Sequence, residues 1–138
     1  MGKFIKTTVR YDKIQPDGTV KAVKEKCLID AMTITEAESR ALAYYEDLGG
    51  NADVIEAKKS NVSEVILDGE GERFFDVNLK FIALDEKTGK EKKQLVIYLF
   101  QADTLDDARK KITEHMKGSV TDYIISSVSE SAISEYID

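Results

Sequence analysis

The amino-acid sequence predicts an α+β fold in which one β-β-α-β-β unit occurs twice. Three observations lead to this prediction: landmarks recur at an offset of 70 to 71 residues, apolar and polar residues alternate before each helix, and capping residues begin two helices. The chain has 138 residues, of which 42% are hydrophobic and 33% are charged. We expect repeats over residues 1–68 and 69–138, related by a pseudo-twofold axis, that share one core and form antiparallel sheets with two helices.

The repeat is visible when the two halves of the sequence are aligned. Residues 3–11 match residues 73–81 at an offset of 70, with basic, apolar and aromatic positions largely coinciding. One extra residue in the second turn moves the offset to 71, where residues 28–37 match residues 99–108. Matching landmarks in the same order favour two copies of one unit over a coincidence between two generic hairpin-helix stretches.

Each unit begins with a predicted β-hairpin. Ile5, Thr7, Val9 and Tyr11 alternate with polar residues, which is the period of a half-buried strand. Gly18 and its counterpart Gly89 lie late in turns, where a hairpin connection needs them. The second strands are expected over residues 19–31 and 92–102, and the first strand of the second unit over residues 73–84.

A helix is predicted to follow each hairpin. Thr33 with Glu36 forms a capping box, and Thr104 with Asp107 is its weaker equivalent. Apolar residues then recur at helical spacing, and the small alanines among them allow each helix to lie close to a sheet. These residues are Ile34, Ala37, Ala41, Tyr44, Tyr45 and Leu48 in the first helix, and Leu105, Ala108, Ile112 and Met116 in the second. Gly49 and Gly118 predict the two helix ends.

Two extended segments complete each unit. They are expected over residues 53–60 and 62–67 in the first unit, and over residues 122–129 and 133–137 in the second. The polar residues 68–72 join the two copies as a tight turn. Because a unit of about 70 residues has a marginal core, we expect the halves to share a core or to pair strands with each other.

Composition excludes several classes of protein. Cys27 is the single cysteine and His115 the single histidine, which excludes a disulfide framework, cysteine-based zinc sites and most catalytic triads. No apolar run approaches the ~18 residues of a membrane span, and residues 1–6 lack the apolar core of a signal peptide. We expect a cytoplasmic protein with no catalytic residue, metal or cofactor and no membrane partner.

The individual candidates for chemistry have simpler structural interpretations. His115 lies late in a helix without metal-ligating neighbours, and Cys27 lies within an apolar strand, so we expect a structural histidine and an inert thiol. Asp68, Glu70 and Glu72 offer oxygen ligands to a hard cation, but their spacing suits a solvated turn. An enzyme would have to rely on carboxylates and tyrosines, such as Tyr44, Tyr45 and Glu46.

The distribution of charge carries the functional prediction. The net charge is −6, yet residues 3–26 hold seven basic and three acidic residues, and residues 73–93 hold six and four. Aromatic residues are interleaved with these cations, a combination that holds single-stranded nucleic acid by phosphate contacts and base stacking. The candidate binding residues are Lys6, Arg10, Lys24, Lys26, Lys80, Lys92, Lys93, Phe74, Tyr98 and Phe100.

An alternative function is a protein-interaction or ligand-sequestering module that forms homo-oligomers. The strand over residues 92–102 is apolar on both faces, so that one face can pack on a helix while the other must meet a second sheet, another subunit or a flat ligand. A sandwich core with solvated lysines at its edges explains the same pattern, because edge lysines prevent aggregation.

Six short motifs are distributed along nearly the whole chain: Val9-Arg10-Tyr11, Asp30-Ala31, Thr35-Glu36-Ala37-Glu38, Leu84-Asp85-Glu86-Lys87-Thr88-Gly89, Met116-Lys117-Gly118 and Ser127-Val128-Ser129-Glu130-Ser131. They resemble those of an uncharacterised family of small acidic proteins from Bacteroides-type bacteria and their phages. The resemblance implies no established activity or site residue. Its association with phages implies a role in DNA metabolism or in contact with host machinery, inside the bacterial host cell.

Overall fold

A computed structural model describes residues 3–49 and 51–138; positions 1, 2 and 50 lie outside the described residues. The described residues form two helices and two four-stranded sheets, which confirms the α+β class. The first half contains β1 (Lys3–Ile14), β2 (Val20–Ala31), α1 (Ile34–Leu48), β3 (Asp53–Lys59) and β4 (Val62–Ile66). The second half contains β5 (Arg73–Leu84), β6 (Glu91–Ala102), α2 (Leu105–His115), β7 (Asp122–Glu130) and β8 (Ile133–Ile137).

The order of elements is therefore the same in the two halves, as the sequence predicts. Strands β1 and β2 pair antiparallel from Lys3 opposite Ala31 to Ile14 opposite Val20, and β5 and β6 pair in the corresponding way. Gly18 and Gly89 close the two hairpin turns with positive φ angles of 86° and 69°. This left-handed conformation has little steric cost for glycine, which explains the residue at both positions.

The last strand of each half pairs with a strand of the other half. The first sheet has the order β3-β1-β2-β8 and the second has the order β4-β6-β5-β7. Strand β8 lies parallel to β2, and β4 lies parallel to β6, whereas all other neighbours are antiparallel. The compact units consequently comprise residues 1–61 with 133–138, and residues 62–132. The division at residue 68 follows the sequence repeat, whereas these units follow strand pairing.

Each helix covers the inner face of one sheet, which we define as the face that packs against the helix. In the first unit Ile5 and Val9 pack with Ala37 and Ala41 of α1, and all four are buried. In the second unit Val77 and Leu79 pack with Ile112 of α2. The alternation of buried and exposed residues along β1 and β5 thus places every second side chain in a core, as predicted from the period of two.

Both helices begin with the predicted capping interactions. The Thr33 hydroxyl accepts a hydrogen bond from the Glu36 amide at 3.1 Å, and a Glu36 carboxylate oxygen accepts one from the Met32 amide at 3.0 Å. Thr104 and Asp107 form the corresponding bond in α2 at 3.1 Å. These contacts satisfy amides that have no partner within the helix, and they confirm the two predicted helix starts.

The cores of the two units are filled by different residues at matched positions. At the offset of 71, Cys27 and Tyr45 of the first unit correspond to Tyr98 and Met116 of the second. All four residues are buried. The tyrosine of this pair therefore lies on the helix in one unit and on the strand in the other.

The connection between β4 and β5 depends on Gly71. Its φ angle is 116°, and a Cβ atom there would lie 2.6 Å from the carbonyl carbon of Ala102. Gly69, two residues earlier, also has a positive φ angle of 75° but faces open space. A substitution at Gly69 would therefore meet only the strain of a positive φ angle, whereas one at Gly71 would also meet a steric collision.

We expect Gly71→Ala to lower the free energy of unfolding by roughly 2–4 kcal/mol, since it combines strain with a backbone collision. Gly69→Ala is the matched control and should cost only about 1 kcal/mol, because strain alone acts there. Urea denaturation followed by circular dichroism measures both values. Equal losses in the two variants would contradict the close approach at Ala102.

Candidate functional site

Strand pairing gathers basic residues on the outer face of the first sheet, which is the face opposite α1. Arg10 lies opposite Lys24, and Thr8 lies opposite Lys26. Lys6 lies opposite Lys58 of β3. Because directly paired residues project from the same face, these cations form one surface. We call it the cationic face, and it comprises Lys6, Arg10, Lys24, Lys26 and Lys58.

The cationic face is only partly neutralised. Arg10 lies 3.6 Å from Asp53, and Lys58 lies 3.1 Å from Glu56. No ion pair within 4.0 Å involves Lys6, Lys24 or Lys26 in the part of the chain that the structure describes. Like charges directly opposite each other, such as Arg10 and Lys24, destabilise a sheet. The register also places Asp12 and Asp30 on this face, so that the positive charge is concentrated around Lys6, Lys24 and Lys26, where it suits an anionic ligand.

Sequence reasoning placed four of these cations on one sheet face, and the pairing register agrees. It missed Lys58, because the strand that pairs with β1 on its other side is not evident from periodicity. The only available indication was the position of Lys58 within the predicted segment 53–60.

The predicted cations of the second unit lie in different surroundings. At the positions that match Lys24 and Lys26, β6 carries Leu95 and Ile97. Lys80 lies between Leu95 and Ile124, and Lys93 lies opposite Ile82. Leu95 is 55% exposed and Ile124 is 44% exposed. We call Ile82, Leu95, Ile97 and Ile124 the apolar patch; it lies on the outer face of the second sheet.

The structure corrects the expectation that Tyr98 and Phe100 can stack on a base. They are 9% and 1% exposed, and they belong to the inner face of β6, beneath α2. The His115 ring meets both edge-on, with centroid distances of 5.6 and 5.8 Å. Their ring faces are therefore committed to the core, and His115 has a structural contact, as expected. Phe74 is half-buried on the outer face of β5, opposite Gln101.

Two rings lie on the same face as the cationic residues. Phe4 of β1 and Tyr136 of β8 are half-buried, and their ring centroids are 6.3 Å apart at an interplanar angle of 58°. Tyr136 lies opposite Leu28 of β2. Sequence reasoning did not select Tyr136, because nothing in its local pattern shows that β8 joins the first sheet.

A pocket of about 620 Å³ lies near the tip of the second hairpin. It is lined by Phe81, Ala83, Lys92, Lys93, Gln94 and Thr121. Helix α2 has 11 residues whereas α1 has 15, so α2 ends earlier along its sheet. Lys92 is mostly exposed and lies 3.7 Å from Asp85. The pocket has an apolar floor and two cations, and none of its lining residues belongs to the cationic face.

The Cys27 thiol and the Tyr11 phenol of the first core are held in their protonated forms. Burial raises the pKa of the Cys27 thiol to about 11, and burial together with Glu25 raises the pKa of Tyr11 to about 12. The Tyr11 hydroxyl donates a hydrogen bond to Glu25 at 3.1 Å. Thiols and phenols need a lowered pKa to act as nucleophiles at neutral pH, so this cluster lacks an activated nucleophile.

We expect Cys27 to resist thiol reagents in the folded protein, because the thiolate is the reactive species and the side chain is fully buried. Labelling with a chromogenic disulfide should be slow at pH 8 and should become rapid and stoichiometric in denaturant. Rapid labelling of the native protein would contradict the burial of this thiol.

The acidic connection after β4 binds a lysine of α2. The Lys111 ammonium lies 2.8 Å from Asp68 and donates hydrogen bonds to the carbonyl oxygens of Glu70 and Gln101, at 2.7 and 2.8 Å. This hydrogen bond to Asp68 lowers the pKa of its carboxyl group. The segment that contains Asp68, Glu70 and Glu72 is thus a turn that binds the Lys111 ammonium, through the carboxylate of Asp68 and the main-chain carbonyl of Glu70.

We expect Lys111→Met to lower the urea midpoint, because it leaves the carbonyl oxygens of Glu70 and Gln101 without their donor. Lys110→Met, at an exposed neighbour, is the matched control and should have little effect. Since the folded pKa of Asp68 is lowered, its contribution is present above the ordinary carboxyl pKa and is lost as pH falls through the folded value. The difference between Lys111→Met and wild type should therefore shrink in strong acid; a constant difference would contradict the role of Asp68.

Comparisons with known proteins identify a family without assigning an activity. Among residues 3–49 and 51–138, no helix is long and apolar enough to cross a membrane, and no group of three or more His, Cys, Asp or Glu side chains is placed to hold a metal ion. No curated protein and no solved structure matches the chain. A family model described as a domain of unknown function, DUF4494, matches residues 3–138. The chain therefore belongs to the DUF4494 family.

Proposed function

We propose that this protein binds single-stranded nucleic acid, most simply DNA, without catalysing a reaction. The observation that carries the proposal is the cationic face, where strand register places five basic residues on one surface. Three of them, Lys6, Lys24 and Lys26, have no acidic partner within 4.0 Å among the described residues. Phosphates supply the negative charge that such a surface lacks.

The spacing of the lysines supports contact with consecutive phosphates. Lys24 and Lys26 are two residues apart on β2, which places their Cα atoms about 7 Å apart along the strand. Flexible lysine side chains from neighbouring strands can follow an irregular backbone and need no base-specific geometry. We therefore propose binding without sequence preference, in which the release of counterions supplies most of the affinity.

Phe4 and Tyr136 are the proposed stacking residues in place of Tyr98 and Phe100. Both lie on the outer face of the first sheet and retain partial exposure. Each base that stacks on an aromatic ring contributes roughly 1–3 kcal/mol in proteins of this binding class. The stacking rings and the cations would then contact different parts of the same strand.

We also propose a cytoplasmic role in the replication of a phage or mobile element of a Bacteroides-type host. This part of the proposal rests on the resemblance of the short sequence motifs. It is consistent with a non-enzymatic protein that covers or presents single strands during replication.

A second candidate function is protein binding through the apolar patch. Exposed side chains such as Leu95 and Ile124 lie on either side of Lys80 on a regular sheet surface, and groups of exposed apolar side chains commonly mark interaction sites. This candidate accounts for the apolar residues of β6 that do not face α2. It uses the second unit, so the two candidate functions can be separated by mutation.

We expect wild-type protein to bind a fluorescent oligothymidine at about 50 mM salt, where counterion release most favours binding. Lys24→Glu combined with Lys26→Glu should weaken binding by at least about tenfold and flatten the dependence of log affinity on log salt by about 1.4. Fluorescence anisotropy over a salt series measures both quantities.

Lys110→Glu combined with Lys117→Glu is the matched control, because it changes the net charge equally on the exposed surface of α2 and the segment after it. It should leave affinity nearly unchanged. Absence of wild-type binding at low salt would overturn the proposal, as would equal losses in the two double variants. Leu95→Asp combined with Ile124→Asp should spare oligonucleotide binding and abolish binding of a protein partner.

A further inference from the structure

The four sheet edges of this chain are protected to very different extents. Strands β3 and β8 are the edges of the first sheet, and β4 and β7 are the edges of the second. An edge strand presents unpaired backbone amides and carbonyls that can pair with another chain. Strands β4 and β8 have only five residues each and carry Glu64 and Glu135 within them, which limits such pairing.

Strands β3 and β7 occupy matching edges but differ in charge. At the offset of 71, Asp53, Glu56 and Lys58 of β3 correspond to Ile124, Ser127 and Ser129 of β7. The charged set lies on the outer face of the first sheet, opposite Arg10, Thr8 and Lys6. The uncharged set occupies the corresponding positions of the second sheet, opposite Lys80, Asn78 and Asp76. Strand β7 therefore lacks the charges that protect β3.

The exposed segment of β7 has the composition of a pairing edge. Residues 123–129 contain no charged residue, proline or glycine. Ile124 and Ile125 are 44% and 37% exposed. Strand β7 pairs with β5 on one side only, and its other side ends the sheet. An uncharged edge of this length is a template for adding a strand.

We propose that β7 of a second copy of this chain pairs antiparallel with β7, so that two second sheets join into one continuous sheet. A second copy fits this edge because antiparallel pairing of identical strands is self-complementary about a twofold axis. Strand β7 has a bulge after Ile125, so that Ile124 and Ser127 lie on the outer face and Tyr123 and Val128 on the inner face. Pairing that matches these faces places Ile124 opposite Ser127 and Tyr123 opposite Val128. It also keeps Asp122 away from Glu130 of the partner.

The alternative register, centred on Ser126, is disfavoured by charge. It places Asp122 of one copy directly opposite Glu130 of the other at both ends of the paired segment. Like charges directly opposite each other destabilise antiparallel pairs. The face-matched pairing also brings Ile124 and Ile125 of both copies close to the twofold axis, on the outer and inner face respectively, which favours that register.

The first test is the mass of the protein in solution without nucleic acid. Light scattering coupled to gel filtration over rising concentration should approach twice the 15.5 kDa mass of the chain. Ser127→Glu combined with Ser129→Lys transfers the residues of β3 onto β7 without changing net charge, and it should give the monomer mass. Thr35→Glu combined with Ser39→Lys makes the same changes on exposed positions of α1 and should remain dimeric.

The second test shows which residues of the two copies lie close together, and it uses a variant that leaves the proposed strand pairing intact. In a Cys27→Ser background, Ile125→Cys should form a disulfide-linked dimer when an oxidant such as diamide is added, because the two 125 positions lie on the same face directly beside the axis. Ile55→Cys, on the edge strand β3, is the control and should remain monomeric on a non-reducing gel.

Three results would overturn the proposal. The first is a monomer mass for the wild-type protein at its highest soluble concentration. The second is a dimer mass for the folded double variant Ser127→Glu with Ser129→Lys. The third is equal cross-linking of the Ile125→Cys and Ile55→Cys variants. Circular dichroism establishes whether each variant is folded. Because the proposed oligonucleotide contacts lie on the first sheet, failure of this proposal leaves the proposed nucleic-acid binding unaffected.

Discussion

Pairing of the last strand of each half with the other half is the constraint on which the rest of this structure depends. Strand β4 begins three residues after β3 ends, yet it pairs with β6. Strand β8 is likewise paired with β2. Neither half of the sequence thus contains every strand of one sheet, so that each sheet needs contacts between residues distant in the chain. Formation of either complete sheet therefore requires closure of long loops, which couples the folding of the two halves.

The two sheets share a framework but present different chemistry at matched positions. Lys24 and Lys26 on the first sheet become Leu95 and Ile97 on the second, whereas Arg10 corresponds to Lys80. Inside the cores, the polar pair Tyr11 and Glu25 is replaced by Phe81 and Val96. The capping threonines are the same in both helices, because they satisfy backbone groups that every such helix exposes. The residues that satisfy backbone groups are thus the same in both halves, whereas the surface residues at matched positions differ in charge and polarity.

Periodicity predicted the strands and helices because it reports which side chains a single element buries. It placed Lys6 and Arg10 opposite the buried face of β1 correctly, since that strand is apolar on one side only. Strand β6 is apolar on both sides, so periodicity could not show that Tyr98 faces α2 while Leu95 faces outward. Strand order is a long-range property, and it alone brings Lys58 and Tyr136 beside β1 and β2. The contact between the Lys111 ammonium and Asp68 is likewise long-range, since it joins residues 43 positions apart, and local patterns do not predict it.

The distribution of edge protection bears on what kind of assembly this chain can form. Two open edges on one molecule allow each copy to bind two others, which produces chains of unlimited length. Here β3 carries charges along its length, β4 and β8 are short, and β7 is uncharged between Asp122 and Glu130. A single open edge that pairs with itself about a twofold axis is used up in a dimer, so assembly stops there. In the proposed dimer, the charges of β3 would therefore have a second consequence: they would prevent the first sheet from pairing with a further copy.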